Sequence, residues 1–145
     1  MKKTIAILGS TGSIGKTLIN ILKKDKNNFN VLLLTSNENI KEIINQTNFF
    51  NVKNLIISNK KKFLIIKKLF KKKKINIFNN FDSIDDIFKG RSIDYTMSAI
   101  SSFYGLDPTL KIIKYSKTIA IANKESIICG WSLIQKELKK HKSYF

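Results

Sequence analysis

Residues 4–15 constrain the fold more than any other part of this sequence. Residues 4–8 are mostly apolar, and apolar side chains recur at helical spacing from residue 14 onward. Three glycines, Gly9, Gly12 and Gly15, lie between and beside these segments. Glycine tolerates a positive φ and lets backbone N–H groups approach a phosphate at the positive end of a helix dipole. A tight turn without a ligand would also use glycines, but the preceding strand and following helix favour a nucleotide-phosphate site.

Strand-like and helix-like segments alternate along the whole chain. Apolar runs predict strands at 4–8, 31–34, 54–58, 75–78, 93–97 and 118–122. Apolar side chains at helical spacing predict helices near 14–24, 40–44, 63–70, 82–88, 106–113 and 126–140. We therefore expect a Rossmann-like, doubly wound α/β fold with a mainly parallel sheet and helices on both faces, as one dinucleotide-binding domain over residues 1–145.

Four loops that follow predicted strands carry the polar chemistry. They span residues 9–14, 35–39, 98–105 and 123–126. The carboxyl ends of parallel strands meet at one edge of a sheet, where open α/β folds bind their ligands. We expect the four loops to converge there.

The loop after the second strand bears on the choice of dinucleotide. NAD-binding folds usually place a carboxylate at this strand tip, but here the tip carries Thr35, Ser36 and Asn37. Hydroxyl and amide groups can donate to a 2′-phosphate, which favours NADP. Glu38 would repel that phosphate, and Lys41 one helical turn later would offset the repulsion. An ordinary helix cap explains any single one of these residues equally well.

The loop at 123–126 places Asn123, Lys124 and Glu125 in one turn from strand to helix. Lysine is a compact charge suited to a substrate phosphate or a polarised oxygen. The same residues also fit an ordinary helix start, with an Asn cap and a first-turn Glu.

The formal charge of +17 suggests an alternative function, that of a basic nucleic-acid-binding module. Arginine is the usual reader of bases and phosphates, yet only Arg91 among the 27 basic residues is arginine. Because Lys, Asn, Ile and Phe are all encoded by A/T-rich codons, genome composition can also produce this charge. Lysines on all helix faces would contradict nucleic-acid binding, whereas one basic stripe would support it. A third alternative is a folded fragment without function.

The N-terminus superficially resembles a signal peptide, with two lysines before an apolar run, but it fails on length. The apolar run at 4–8 is shorter than the core of a signal peptide, which needs about 7–15 residues. No run approaches the ~18 apolar residues of a membrane span. The single cysteine, Cys129, cannot form an internal disulfide, which fits a reducing compartment. We expect a cytoplasmic protein without a membrane partner.

Three motifs resemble the 1-deoxy-D-xylulose 5-phosphate reductoisomerase family, and in order and spacing they span nearly the whole chain. They are LGSTGSIG at 8–15, SAI through GLDPTL at 98–110, and KTI through ANKES at 117–126. The resemblance implies an enzyme of non-mevalonate isoprenoid biosynthesis. Such an enzyme rearranges 1-deoxy-D-xylulose 5-phosphate and reduces the resulting aldehyde with NADPH to 2-C-methyl-D-erythritol 4-phosphate, using a divalent metal (Mg or Mn).

The resemblance also implies roles for particular residues. The implied NADPH contacts are Thr11, Gly12, Ser13, Ile14, Asn37, Glu38, Asn39, Asn123 and Glu125. Lys124 matches a lysine that contacts the substrate. The family commonly has Gly-Lys-Asn where this chain has Asn37, Glu38 and Asn39, so the preference for NADPH over NADH is open.

In the family, a strand after the last helix leads into an acidic Asp-Ser-Glu segment that binds the metal. This chain stops at residues 141–145, before such a segment, so no residue in it is assigned as a catalytic group or metal ligand. We expect the N-terminal cofactor-binding portion of the enzyme, inactive alone. A homodimer is a further expectation for the full enzyme.

Overall fold

The computed structural model describes residues 1–145. The strands are β1 (Lys3–Leu8), β2 (Phe29–Ser36), β3 (Asn54–Ile57), β4 (Asn76–Phe78), β5 (Ile93–Ser98) and β6 (Ser116–Ile121). The helices are α1 (Ser13–Lys24), α2 (Ile40–Phe50), α3 (Lys60–Leu69), α4 (Ser83–Phe88), α5 (Leu106–Ile113) and α6 (Lys124–His141). Short 3-10 turns occupy Lys26–Asn28 and Phe103–Gly105.

The six strands form one parallel sheet in the order β4-β3-β2-β1-β5-β6. The chain winds outward from β1 to β4, then returns past β1 to add β5 and β6. In the register, Ile5 lies between Val31 of β2 and Tyr95 of β5. The predicted Rossmann-like, doubly wound fold is confirmed.

The core consists of two apolar clusters, one on each face of the sheet. Alternate residues of β1 divide between them, because successive side chains of a strand point to opposite faces. Ile5 and Ile7 pack with side chains of α1, α2 and α3. Ala6 and Leu8 pack with side chains of α4, α5 and α6. The helices therefore cover both faces, three on each, as the alternating sequence predicts.

The carboxylate of Asp94 links the amino-terminal ends of β1, β5 and β6. Lys117 Nζ lies 2.8 Å from one oxygen of Asp94, while the N–H and hydroxyl of Thr4 both donate to the other at 2.9 Å. These donors, Lys117 foremost, hold the pKa of the Asp94 carboxyl well below its usual range. Next to β6, the Tyr144 N–H donates to Lys117 O at 2.8 Å, so residue 144 pairs with β6 in parallel.

The last helix is bent at Gly130, where φ is −135° and ψ is 17°. A Cβ atom there would overlap Leu106 Cδ1 and lie 2.7 Å from Leu106 Cδ2. The glycine thus lets α6 approach the start of α5. This contact brings the loops after β5 and β6 together.

Candidate dinucleotide-binding site

The strand order creates a crevice at the carboxyl ends of β1 and β5. The helix after β1 packs on one face of the sheet and the helix after β5 packs on the other, so the two loops diverge. The Ala99 N–H donates to Leu8 O at 2.9 Å and closes the floor between the strands. Open α/β sheets bind ligands at this kind of switch point.

The three glycines of the first loop serve different purposes. Gly9 has a φ of +78°, and a Cβ there would lie 2.8 Å from Ala99 O. A Cβ on Gly15 would overlap Gly9 O and lie 2.7 Å from Ser10 Cα. At Gly12 the nearest atom would be 3.5 Å away, and φ is −75°. The backbone itself requires Gly9 and Gly15, whereas Gly12 lines the crevice and would accommodate a Cβ without a clash.

Helix α1 begins beside the crevice without a side-chain cap. Gly12 occupies the N-cap position, and no side chain caps the helix. The backbone N–H groups of Ser13, Ile14 and Gly15 donate to no protein group. Free N–H groups at the positive end of a 12-residue helix favour an anion such as a phosphate.

The second loop holds the first one in place. The Gly9 N–H donates to Thr35 Oγ1 at 2.8 Å, and the Ser10 N–H donates to Thr35 O at 3.0 Å. The hydroxyls of Thr11 and Ser36 lie 2.9 Å apart. The glycine turn is thus bound to the tip of β2 before any ligand arrives.

Beyond that tip, the predicted residues divide between the crevice and the helix start. Asn37 faces the crevice, and its Oδ1 accepts from Ser58 Oγ at 3.1 Å. Glu38 Oε1 accepts from Asn59 Nδ2 at 3.2 Å, outside the crevice lining. Asn39 caps α2 by accepting from the backbone N–H of residue 42 at 3.1 Å. The helix-cap interpretation of this loop is therefore confirmed for Asn39.

The loop after β5 forms the opposite wall. Ala99, Ile100 and Ser101 line it, followed by the aromatic rings of Phe103 and Tyr104. These two rings stack with centroids 4.4 Å apart, and both are exposed. They give this wall an apolar, planar surface at its mouth.

The fourth loop lies behind that wall. The Nδ2 of Asn123 donates to the carbonyls of Ile100 and Ser102, and its Oδ1 accepts from the Ser126 N–H at 3.0 Å. Asn123 is only 4% exposed. Lys124 is exposed and Glu125 half-buried, and neither lines the crevice. The predicted Asn cap on α6 is confirmed.

The crevice has a volume of about 710 Å³, within the range of small-molecule and cofactor sites. Of the sequence-predicted residues, Thr11, Gly12 and Asn37 line it. The other predicted residues lie outside the lining: Ser13, Ile14, Glu38, Asn39, Asn123, Lys124 and Glu125. Sequence reasoning missed Ser58 and Phe81, which line the crevice from the loops after β3 and β4.

The crevice wall carries one carboxylate and no cationic side chain. Its only carboxylate, Asp107, lies 2.7 Å from Lys111 Nζ, which also contacts Asp82 at 2.7 Å. These two carboxylates, Asp107 first, raise the pKa of Lys111. Because Lys111 is shared between two carboxylates, it offsets the negative charge of Asp107 only in part.

No three His, Cys, Asp or Glu side chains lie close enough together to hold a metal ion. The residues present therefore do not fit a divalent metal site. No helix is both long and apolar enough to cross a membrane. Lysines lie on helices of both faces, for example Lys16 and Lys23 on α1 and Lys111 and Lys136 on α5 and α6, so they form no single stripe.

Ser102 has a strained backbone, which leads to a first prediction. Its φ of 65° and ψ of 178° belong to a region that essentially only glycine adopts, at a cost of about 1–3 kcal/mol for other residues. Replacing it by glycine also adds freedom to the unfolded chain, worth about 0.4–1 kcal/mol in the opposite direction. We expect Ser102→Gly to raise the free energy of unfolding by about 1 kcal/mol, measured by urea denaturation.

Ser101→Gly is the matched control, because Ser101 has no positive φ. It should leave stability unchanged or lower it slightly. A lower urea midpoint for Ser102→Gly would mean that the serine side chain stabilises the loop by more than its backbone costs.

Comparisons with known proteins agree with this geometry. A family model described as 1-deoxy-D-xylulose 5-phosphate reductoisomerase matches residues 5–130. A protein of that name from Pelagibacter ubique is 60% identical over 144 residues, which cover 99% of this chain and 37% of that protein. One from Porphyromonas gingivalis is 36% identical over 136 residues, covering 94% and 35%. The chain thus spans little more than a third of the length of these curated relatives.

Two solved structures superpose closely on nearly the whole chain. The reductoisomerase from Zymomonas mobilis in complex with NADPH has a TM-score of 0.89 and 27% identity, covering 99% of this chain and 38% of that one. A second, in complex with NADPH, fosmidomycin and magnesium, has a TM-score of 0.87 and 25% identity, covering 97% and 35%.

Proposed function

Because the chain belongs to the 1-deoxy-D-xylulose 5-phosphate reductoisomerase family, we propose that residues 1–145 are its NADPH-binding domain. The observation that carries this proposal is the uncapped start of α1 beside the crevice. Its free N–H groups and the position of Gly12 in the crevice lining fit a pyrophosphate. The Zymomonas relative was solved with NADPH, which supports this choice of ligand.

We propose that the adenosine half of NADPH binds at one end of the crevice and the nicotinamide half at the other. Residues 11–14 hold the pyrophosphate through backbone N–H groups. Residues 37–39 flank the 2′-phosphate at the tip of β2, the end where doubly wound folds bind the adenosine ribose. The nicotinamide half then lies toward the loop after β5. Glu125 and Lys124 belong to the far side of that loop, with Glu125 as a proposed cofactor contact and Lys124 as a proposed substrate contact.

We assign the family's reaction to the whole enzyme, the NADPH-dependent conversion of 1-deoxy-D-xylulose 5-phosphate to 2-C-methyl-D-erythritol 4-phosphate. NADPH supplies the hydride in that reaction. The divalent metal, Mg or Mn, has no ligand set among these residues. The 145 residues alone should therefore bind NADPH without turnover. A cytoplasmic location, a homodimer of the whole enzyme and no nucleic-acid partner complete the proposal.

Calorimetric titration of the folded chain with NADPH tests the proposal. Saturable binding is expected, and it should be unaffected by removing divalent metal. A folded sample that binds no NADPH up to millimolar concentration would contradict it. Turnover of 1-deoxy-D-xylulose 5-phosphate by the purified chain would contradict the inactivity proposed for these residues.

Glu38 should weaken the binding of NADPH in particular. It adjoins Asn37, which lines the crevice at the proposed 2′-phosphate end. One carboxylate–phosphate pair a few ångströms apart costs on the order of 1–4 kcal/mol at effective dielectrics between water and protein surface. We expect Glu38→Lys to lower the Kd for NADPH about tenfold, equivalent to about 1.4 kcal/mol, and to leave that for NADH nearly unchanged.

Asp86→Lys is the matched control, since it makes the same charge change at an exposed position of α4 outside the crevice. It should change neither Kd more than about twofold. If Glu38→Lys tightens NADPH and NADH equally, it acts through net charge. No change in either Kd would place Glu38 outside the site.

A further inference from the structure

The side chain of Asn123 has no free N–H group for a ligand. Its amide has two N–H donors, and these go to the carbonyls of Ile100 and Ser102. The orientation of the amide is set by its partners, since the Ser126 N–H needs an oxygen and the two carbonyls need a donor. At 4% exposure it also lies outside the crevice lining.

Asn123 instead joins two loops that are distant in sequence. The carbonyls it binds belong to the loop after β5, while Asn123 itself begins α6 after β6. The crevice contacts the other side of that loop at Ala99, Ile100 and Ser101. The amide therefore fixes the backbone of one crevice wall from behind.

Two neighbouring features depend on this arrangement. Ser102 keeps its strained φ of 65° while its carbonyl is held by Asn123. At Gly105 a Cβ atom would lie 2.6 Å from Asn123 Nδ2 and 2.7 Å from Ile100 O. A side chain at position 105 would thus displace the amide. Strained residues persist where the surrounding structure over-determines them, and here the surrounding group is Asn123.

We propose that Asn123 is a positioning residue that sets the crevice wall for the nicotinamide half of the cofactor and makes no contact with the cofactor through its side-chain amide. This proposal rests on the proposed NADPH site. It separates Asn123 from the residues of the first two loops, which meet the adenosine half and the pyrophosphate.

Asn123→Asp is the most direct test. An Asp retains the oxygen that caps α6 but replaces both donors with an oxygen facing two carbonyls. We expect about tenfold weaker binding of NADPH at pH 8. Adenosine 2′,5′-bisphosphate lacks the nicotinamide, so its Kd should change less than twofold. The matched control is Asn80→Asp, the same substitution at the Asn whose Oδ1 accepts from the Ser83 N–H at the start of α4; both Kd values should stay within twofold.

Hydrogen exchange of the ligand-free chain separates this role from a direct contact. In Asn123→Asp the hydrogen-bonded amides of this loop, those of Ala99 and Gly105, should exchange at least tenfold faster, whereas Asn80→Asp should leave them unchanged. Unchanged exchange would overturn the proposal, as would an equal loss of affinity for both ligands or no loss for either. If the wild-type chain binds no NADPH, the proposed function fails, and the exchange result still decides whether Asn123 holds the loop.

Asn123→Ser provides a second variant if the aspartate prevents folding. Serine caps helices well but cannot donate to both carbonyls. It should show faster exchange at the amides of Ala99 and Gly105 and a smaller, nicotinamide-specific loss of affinity. A serine variant with wild-type exchange and wild-type NADPH affinity would contradict the proposal.

Discussion

Gly15→Ala is expected to destabilise the fold by about 2–3 kcal/mol, a substantial part of the 5–15 kcal/mol typical of a domain. The added Cβ would overlap Gly9 O and lie 2.7 and 2.8 Å from Ser10 Cα and C, all backbone atoms that cannot rotate away. Alanine has the higher helix propensity, but that gain is at most about 1 kcal/mol. Urea unfolding followed by circular dichroism measures the difference.

Lys16→Ala serves as a control in the same turn of α1, at an exposed position. It should alter stability by less than about 0.5 kcal/mol, as surface substitutions usually do. If Gly15→Ala is as stable as the wild type, α1 can shift away from the glycine turn, and the close approach of helix and loop is not required.

Gly12→Ala is expected to weaken NADPH binding and to leave the stability of the fold almost unchanged. A Cβ at this position meets no protein atom closer than 3.5 Å, and its φ of −75° suits any residue. Its loss of stability should stay below about 1 kcal/mol, from weaker capping of α1. The methyl group would occupy the space proposed for the pyrophosphate and lengthen charge-assisted hydrogen bonds worth about 1.5–3 kcal/mol. We expect NADPH to bind roughly ten- to hundredfold more weakly.

The two alanine variants form a matched pair, because each adds one methyl group to a glycine of the same motif. Calorimetry on folded samples should give a large affinity loss for Gly12→Ala with near-normal stability. A variant Gly12→Ala that binds NADPH as tightly as the wild type would show that the pyrophosphate does not lie against this turn.

The sequence predicts the order of the strands and helices well, because the spacing of apolar residues reflects which face of each helix or strand is buried. Residues 31–34 illustrate this: they predict a strand buried on both sides, and Val31 and Leu34 pack on one face while Leu33 packs on the other. The ends of that strand were not predictable. Phe29–Ser36 extends to polar residues because pairing with β1 and β3 sets its length.

The candidate site is predictable in part. The rule that ligands meet the carboxyl ends of strands identifies the glycine turn and Asn37, and it would have found Ser58 at the end of β3. Phe81 follows no periodic pattern, so only the structure brings it to the crevice. The two carbonyls that Asn123 contacts lie 21 and 23 residues away in the sequence. The helix-capping pattern around Asn123 therefore does not predict these hydrogen bonds.

The division of the core into two faces has a consequence for how the chain emerges during synthesis. Once residue 78 has left the ribosome, β1 to β4 can pair into a four-stranded sheet, and α1 to α3 can cover one of its faces. Ala6, Leu8, Leu33 and Ile56 face the other side, where the covering residues extend to Leu138. At about 5–20 residues per second, translation from Phe78 to Leu138 takes roughly 3–12 s. During that interval the nascent sheet exposes an apolar face and the edge of β1 that later pairs with β5. Such a surface favours chaperone binding or aggregation.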